Sequence, residues 1–309
     1  MTLEPLNQIN LFSHSYFFNE LTNLYIQDKL PNKILFSGEK GIGKSTIAYH
    51  LINYILSHNE QYSYNLKNFK INPENKFFKL TQNKSNPNFN LIDVSEDKKN
   101  IDIYQIRNLI SDLNKTSFNS KPRFVLIDNI ELLNVNSVNA LLKILEEPND
   151  NINFILINNN KRVYPTLRSR CINFNISLSN EQSIKIINKI LDDNIFNILN
   201  KELISNYSTP GQLFAMIKFG KQFDIDLKDI NLKEFLLFII KNKYFQKENK
   251  SKYLIYFLIE LYFRNNISVK NIKIINIYNY FLKKIKNTKK FNLDEETLLM
   301  EFKESVLNG

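Results

Sequence analysis

A glycine-rich loop near the amino terminus constrains the fold of this chain more than any other feature. Residues 38–45 read Gly-Glu-Lys-Gly-Ile-Gly-Lys-Ser, which is the pattern G-x-x-x-x-G-K-S. The apolar run 33–37 precedes the loop and the apolar-periodic run 47–55 follows it, so strand, loop and helix are predicted in that order. Glycine lets such a loop wrap closely around phosphate oxygens, and the helix N-terminus adds partial positive charge. The stretch therefore predicts a phosphate loop.

The loop predicts a nucleotide site made of backbone N–H groups and a few side chains. Lys44 is expected to reach the β- and γ-phosphates of ATP, and the Ser45 hydroxyl is expected to ligate Mg²⁺. The remaining candidate nucleotide-binding residues at the loop and the helix start are Gly38, Gly41, Gly43 and Thr46. The alternative is a phosphate loop that has kept its shape but no longer binds nucleotide.

Two later strands are predicted to place polar residues at the same site. The run 124–127 is apolar on consecutive residues, as buried parallel strands are, and it ends at Asp128. The run 153–157 has the same character, and Asn159 follows it closely. Because ligands of open α/β sheets bind beyond the carboxyl ends of the strands, Asp128 is expected to hold Mg²⁺ together with Ser45. Asn159 either contacts the γ-phosphate or the attacking water, or satisfies loop backbone.

The residues after Asp128 argue against rapid ATP hydrolysis. A hydrolytic site of this kind needs a base or a water-orienting group beside the metal. Asn129 stands next in the chain and cannot accept a proton, and Glu131 would point the wrong way if the strand continued. We therefore expect little or no ATPase activity from the chain alone, and we expect it to bind ATP weakly or not at all.

The rest of the chain predicts one inserted segment and a helical second half. Residues 58–90 are polar and irregular, which indicates a loop or insertion and not a core element. After Cys171 the apolar spacing becomes helical up to the last residues. The chain is thus predicted to fold as an α/β P-loop domain with a parallel sheet, followed by all-α domains.

Bulk composition narrows the class of protein without naming a partner. The formal net charge of +10 suits a polyanion such as nucleic acid, but it also follows from a sequence rich in lysine throughout. A single cysteine excludes a disulfide framework. The polar start of the chain does not resemble a signal peptide, and the apolar run 254–263 is too short to span a bilayer. We expect a cytoplasmic protein without a membrane partner.

Several motifs, in this order and at these distances, resemble the clamp-loader branch of the AAA+ ATPases. They are the phosphate loop, LIDN at 126–129, NALLKILEEP at 139–148 and LRSRC at 167–171. The likeness covers the first half of the chain well and the C-terminal third hardly at all. It implies an AAA+ nucleotide-binding domain over 1–176, a helical lid over 177–220 and a helical collar over 221–309, through which subunits assemble.

Within this branch the chain is most similar to the delta-prime type of subunit in bacterial DNA polymerase III. Asn129 and Gly211 stand where the gamma/tau motor type has an acidic residue and an arginine, and zinc-binding cysteines are missing from 55–95, so no zinc is expected. The resemblance implies gamma/tau and delta subunits as partners, indirect action on the sliding clamp, primed DNA within the complex, and ATP with Mg²⁺ as possible cofactors. The alternatives are an active motor subunit and a nucleotide-dependent DNA-binding protein.

The same resemblance implies that Arg170 is an arginine finger, presented in trans to ATP on the adjacent motor subunit. A planar guanidinium neutralises the charge that grows on a transferring phosphoryl group. Arg168 is interpreted as a supporting or structural residue. The lysine clusters at 241–252 and 283–290 are interpreted as solvated faces and turns in preference to DNA-binding surfaces.

Overall fold

The chain divides into two compact units. The computed structural model describes residues 4–95, 98–115, 119–146, 151–246, 249–267, 272–291 and 293–308. The first unit spans Met1–Leu178 and the second Ser179–Gly309. The finer border between lid and collar at residue 220 stays a prediction. The helix stop expected at Pro148 lies outside the described residues.

The first unit is built on a parallel sheet. Its strands are β1 (Lys33–Ser37), β2 (Phe89–Ile92), β3 (Arg123–Ile127), β4 (Ile152–Asn158) and β5 (Ile172–Asn175). Their order across the sheet is β2-β3-β4-β1-β5 among the described residues, and every neighbouring pair is parallel. The central strands are apolar on consecutive residues because helices cover both faces of the sheet. The predicted parallel α/β fold is confirmed.

Two helical layers pack on opposite faces of this sheet. The helices are α1 (Ser15–Ile26), α2 (Lys44–Leu56), α3 (Lys76–Gln82), α4 (Ile103–Leu113), α5 (Val135–Glu146) and the short α6 (Pro165–Arg168). One buried cluster joins α1, α2 and α3 to the face of β1 that carries Phe36. The other joins α4 and α5 to the face that carries Leu35. Neighbouring strand residues face opposite sides, so β1 is buried on both.

The segment 58–90 belongs to the core, so the prediction that it lies outside the core is wrong. Tyr64, Ile71, Phe77 and Phe78 are all buried in the cluster that contains α1 and α2. Phe77 and Phe78 lie on α3, and the Asn75 side chain caps this helix by accepting from the Phe78 N–H at 2.9 Å. The apolar residues come singly from turns and from one short helix, so they produce no periodic pattern in the sequence.

The second unit is helical throughout its described part. Its longer helices are α7 (Asn180–Leu191), α8 (Pro210–Gln222), α9 (Leu232–Lys241), α10 (Asn249–Asn266), α11 (Ile272–Phe291) and α12 (Glu295–Phe302). Capping boxes begin α7, α8 and α9, at Ser179, Thr209 and Asn231. Each box satisfies backbone N–H groups that have no partner within the helix. None of the helices in the described ranges is long and apolar enough to cross a membrane.

A buried histidine ties three parts of the first unit together. His50 on α2 has no exposed surface, and its Nε2 lies 3.1 Å from the Gln8 carbonyl oxygen. The carbonyl only accepts, so Nε2 carries the hydrogen, and Nδ1 accepts from the Tyr64 hydroxyl at 2.9 Å. Burial lowers the pKa of His50 to about 4, against a smaller opposing effect of the bond to Gln8.

Acid is therefore expected to weaken the first unit. Because the folded-state pKa of His50 is below its unfolded value, its contribution is complete above about pH 6.5 and is lost as the pH falls towards 4. Between pH 6.5 and pH 5 we expect the free energy of unfolding to fall by about 2 kcal/mol from this group. Hydrogen exchange of α2 amides against pH measures the fall. His50→Gln should flatten it, and an unchanged slope in that variant would contradict the assignment.

Candidate functional site

The phosphate loop lies between β1 and α2 and needs its glycines. Gly41 and Gly43 have positive φ angles of 89° and 96°, which side chains other than glycine rarely adopt. At Gly38 the constraint is space, because an added Cβ would lie 2.2 Å from the Ile176 carbonyl oxygen. These conformations turn the loop around a cradle at the N-terminus of α2, which is the geometry that binds phosphate.

Lys44 lies inside this cradle. Its side-chain Nζ donates to the carbonyl oxygens of Gly38 at 3.0 Å and Glu39 at 2.6 Å, and to Asn159 Oδ1 at 3.0 Å. Burial lowers the pKa of Lys44 to about 8, although the carboxylates of Asp128 and Glu131 act in the opposite direction. All three ammonium donors have acceptors, which phosphate oxygens would replace.

Ser45 and Asp128 meet at the point where Mg²⁺ is expected. The Ser45 hydroxyl donates to Asp128 Oδ2 at 2.6 Å. Burial raises the pKa of Asp128, and the hydrogen bond from Ser45 acts against this rise. The nearby charge of Asp93, at the end of β2, raises it further. A hydroxyl and a carboxylate in contact beside a phosphate loop suit a hard cation that prefers oxygen ligands. Thr46 follows on α2 and is half-buried.

Asn129 joins the ends of three strands. It adopts a left-handed conformation with a φ of 55°, two residues after the end of β3. Its Nδ2 donates to Asp93 Oδ1 at 2.7 Å, beside β2, and its Oδ1 accepts from Asn159 Nδ2 at 2.8 Å, beyond β4. The side chain connects the polar groups at this edge of the sheet and supplies no proton acceptor of useful basicity.

Glu131 faces the site, because the strand does not continue past Asp128 as it would have to for Glu131 to point away. The strand ends at Ile127, and the left-handed Asn129 starts a turn of 3₁₀ helix that brings Glu131 back. The Glu131 side chain is 2% exposed. Its carboxylate accepts from the Asn159 backbone N–H at 3.3 Å and from Asn159 Nδ2 at 3.2 Å. Lys161 Nζ lies 4.0 Å away on the solvent side.

The two asparagines at the end of β4 differ in role. Asn158 exchanges hydrogen bonds with the Lys161 backbone, at 3.0 Å to its carbonyl and 3.2 Å from its N–H, and so satisfies loop backbone. Asn159 instead meets Lys44, Asn129 and Glu131. The structure therefore brings the predicted site residue Asn159 to the phosphate loop.

Sequence reasoning gave no site role to three residues that border the phosphate loop. Asp93 follows β2, which neighbours β3, so its place beside Asp128 could have been expected from strand order. Glu131 is placed by a turn that the sequence does not reveal. His14 lies on the other side, where its Nε2 donates to the Ile42 carbonyl at 3.0 Å, and burial lowers its pKa.

Arg170 and the phosphate loop lie at opposite ends of two neighbouring strands. β5 runs parallel to β1, with Ile34 beside Ile172 and Ser37 beside Asn175. Arg170 precedes β5, whereas the phosphate loop follows β1, so the length of the strands separates them. At about 3.3 Å per residue this separation is roughly 15 Å. Arg170 is thus unable to reach a nucleotide in its own loop.

The Arg170 side chain is held near the surface. It forms an ion pair with Glu146 at the end of α5, and one guanidinium nitrogen donates to the Thr166 carbonyl at 2.9 Å. The side chains of Arg170 and Glu146 are 32% and 52% exposed. An exposed pair of this kind stabilises the fold by at most about 1 kcal/mol, so a stronger acceptor can take the guanidinium from it. Arg168 is exposed at the end of α6.

The lysine clusters of the second unit are in part neutralised by carboxylates. Lys243 and Lys252 pair with Glu296 and Glu295 on α12, at 2.5 Å and 2.8 Å. Lys284 on α11 pairs with Glu301 on α12. Paired lysines give the surface less net positive charge than the sequence alone indicates.

Comparison with known proteins decides the family. The family described as DNA polymerase III, delta subunit, matches residues 13–180, more than half of the chain. The chain belongs to this family. Its phosphate loop, the polar edge of the sheet and Arg170 all lie within the matched residues. The predicted membership of the clamp-loader AAA+ proteins is confirmed.

Relatives include more than one kind of clamp-loader subunit. DNA polymerase III subunit gamma of Buchnera aphidicola subsp. Schizaphis graminum is 28% identical over 234 residues, which cover 74% of this chain and 62% of the relative. Subunit delta' of the same organism is 25% identical over 284 residues, 87% of this chain and 83% of the relative. Subunit delta' of Pseudomonas aeruginosa is 31% identical over 139 residues, 45% and 40% of the two chains.

Among solved structures, a gamma subunit-related protein of Thermotoga maritima superposes with a TM-score of 0.49 and 17% identity. The superposition covers 91% of this chain and 96% of that one.

Proposed function

We propose that this chain is the delta-prime-type subunit of a DNA polymerase III clamp loader, which helps load the sliding clamp onto primed DNA in the cytoplasm. The observation that carries the proposal is the position of Arg170, at the opposite end of two neighbouring strands from its own phosphate loop. An arginine in this position would serve a nucleotide on a neighbouring subunit. The partners would be gamma/tau motor subunits, whose ATP Arg170 would contact, and a delta subunit.

In this role the chain's own site binds nucleotide without turning it over rapidly. Lys44 would hold the β-phosphate, and Ser45 and Asp128 would hold Mg²⁺, which neutralises phosphate charge when bound. Hydrolysis also needs a group that takes a proton from water or orients it beside the metal. Asn129 fills the position after Asp128 and is bonded to Asp93 and Asn159. The Glu131 carboxylate faces the site, but it already accepts hydrogen bonds from the Asn159 backbone N–H and side-chain amide. We expect little or no ATPase activity from the chain alone.

An active motor subunit of the gamma/tau type is the second candidate. The complete phosphate loop and the likeness to a gamma subunit favour it. Two residues argue against a motor subunit. Asn129 takes the position after Asp128, and Gly211 at the start of α8 takes the place of an arginine. A DNA-binding role for the chain by itself is less well supported, because several lysines of its C-terminal clusters are paired with carboxylates.

Reconstitution with gamma/tau and delta subunits from the same source tests the proposal. We expect the chain to enter one complex with them, as seen by size-exclusion chromatography. ATP turnover stimulated by clamp and primed DNA should require the chain, while the chain alone turns over little ATP.

Turnover by the isolated chain at the rate of the complete complex would instead identify a motor subunit. A complex that forms and loads clamps equally well without the chain would reject both candidates. Tight, strongly salt-dependent binding of the isolated chain to duplex DNA would favour the DNA-binding alternative.

A further inference from the structure

The orientation of the Asn159 amide follows from the chemistry of its neighbours. Lys44 only donates hydrogen bonds, so the amide oxygen of Asn159 must face it, at 3.0 Å. Glu131 only accepts, so the amide nitrogen must face its carboxylate, at 3.2 Å. Both amide hydrogens are used, because Asn129 Oδ1 accepts the other at 2.8 Å.

The carboxylate of Asp93 fixes the orientation of the Asn129 amide, at the other end of the same hydrogen-bond network. Asp93 Oδ1 accepts from Asn129 Nδ2 at 2.7 Å, so the amide oxygen of Asn129 is the atom that faces Asn159. The chain of hydrogen bonds therefore runs in one sense from Lys44 to Asp93. Reversing the Asn159 amide would place its oxygen against both Glu131 and Asn129.

This orientation does not depend on where Lys44 points. When Lys44 turns to phosphate oxygens, Asn159 loses one donor, but Glu131 still holds its backbone N–H and its amide nitrogen. The Glu131 side chain is 2% exposed, and burial makes an unmatched oxygen beside a carboxylate costly. The amide donors stay turned towards protein.

We propose that the phosphate loop of this chain binds a nucleoside diphosphate about as tightly as a nucleoside triphosphate. The loop N–H groups, Lys44 and the Mg²⁺ that Ser45 and Asp128 would hold act on the β-phosphate of both ligands. The further attraction of Lys44 and Mg²⁺ for a γ-phosphate is offset by the negative charge of Glu131, which acts on Lys44. A γ-phosphate would find no free amide hydrogen on Asn159 and would meet the negative charge of Glu131, whose partner Lys161 lies 4.0 Å away.

A site with this property would be occupied by ATP and ADP in proportion to their concentrations. The inference rests on the proposed function only in requiring that the loop binds nucleotide.

The test measures dissociation constants of the isolated full-length chain for Mg·ADP and for the slowly hydrolysed Mg·ATPγS by calorimetry. We expect the two values to agree within about threefold. Lys44→Ala should abolish both binding events, which assigns them to the phosphate loop. A triphosphate preference of about tenfold or more in the wild type would overturn the proposal, because it is the size expected from one hydrogen bond to a charged acceptor.

Glu131→Ala tests the cause. The variant frees an amide hydrogen of Asn159 and removes the negative charge, so triphosphate should gain about tenfold over diphosphate. Glu74→Ala is the control. It removes a carboxylate that is exposed and pairs with Lys79, so it should leave the ratio of the two dissociation constants unchanged. An unaltered ratio in a folded Glu131→Ala chain would overturn the proposal. Failure of the wild type to bind either nucleotide would also overturn it, while the proposed role of Arg170 in a complex would stand.

Discussion

Arg170→Ala is expected to lower the ATP turnover of a reconstituted clamp-loader complex by about tenfold or more, since arginine fingers contribute this much or more to phosphoryl transfer. The substitution removes the guanidinium that would neutralise charge on a neighbour's γ-phosphate. The effect is expected in trans, because Arg170 and its own phosphate loop lie at opposite ends of the neighbouring strands β1 and β5. Turnover stimulated by clamp and primed DNA, measured at saturating ATP, provides the readout.

Three matched variants separate this effect from loss of structure or charge. Arg168→Ala removes an exposed arginine two residues away and should leave most of the turnover. Arg170→Lys keeps the charge but not the planar fork, so it should recover only part of the rate. Lys44→Ala alters this chain's own loop and should change turnover little. A larger loss in Lys44→Ala than in Arg170→Ala would identify this chain as a motor.

The ion pair with Glu146 predicts how readily Arg170 is released. Arg170 must leave Glu146 before it can contact a neighbour's phosphate. Because both side chains of the pair are partly exposed, its loss costs little, and Arg170→Ala should leave the fold intact. Circular dichroism and complex formation of the variant check this before its turnover is compared.

Phe77→Ala is expected to lower the free energy of unfolding of the first unit by about 3 to 4 kcal/mol, the cost of removing a buried phenyl ring. Phe77 on α3 is 7% exposed and packs edge-on against Phe89 of β2, with ring centroids 6.4 Å apart. The loss follows from its place in the cluster under α1 and α2. Hydrogen exchange of β2 and α2 amides reports the stability of this unit separately from the second.

Tyr62→Ala is the control for that experiment. Tyr62 lies in the same segment but is 43% exposed, so its replacement should cost less than about 1 kcal/mol. Equal and small losses in both variants would show that the segment 58–90 contributes little to the core after all.

Much of the fold could be predicted because short, local sequence patterns indicate it. The phosphate loop combines a strand, glycines at positions of positive φ and a helix start within 25 residues of chain, and each of these leaves a mark in the sequence. The strands after it are apolar on consecutive residues, which predicts burial in a parallel sheet. The predicted places of Lys44, Ser45 and Asp128 follow from the rule that ligands bind beyond the carboxyl ends of strands.

The inserted segment shows where such patterns are absent. Tyr64, Ile71 and Phe77 enter the core from separate turns and from one short helix. No window of the sequence there has the period of a helix or a strand, so polar composition dominates the prediction. Whether such a single residue is buried depends on which distant parts of the chain pack against it in the folded structure.

What the sequence by itself determined is the fold class, the strand–glycine loop–helix unit and the family, because all three depend on short motifs in a fixed order. Only the tertiary structure decided the direction of Glu131, which depends on one left-handed residue after β3. It also decided the orientation of the Asn159 amide, through donors and acceptors up to 115 residues apart in sequence. The separation of Arg170 from its own loop likewise depends on which strands are neighbours and how they run, and pairing between distant segments leaves no local pattern in the sequence.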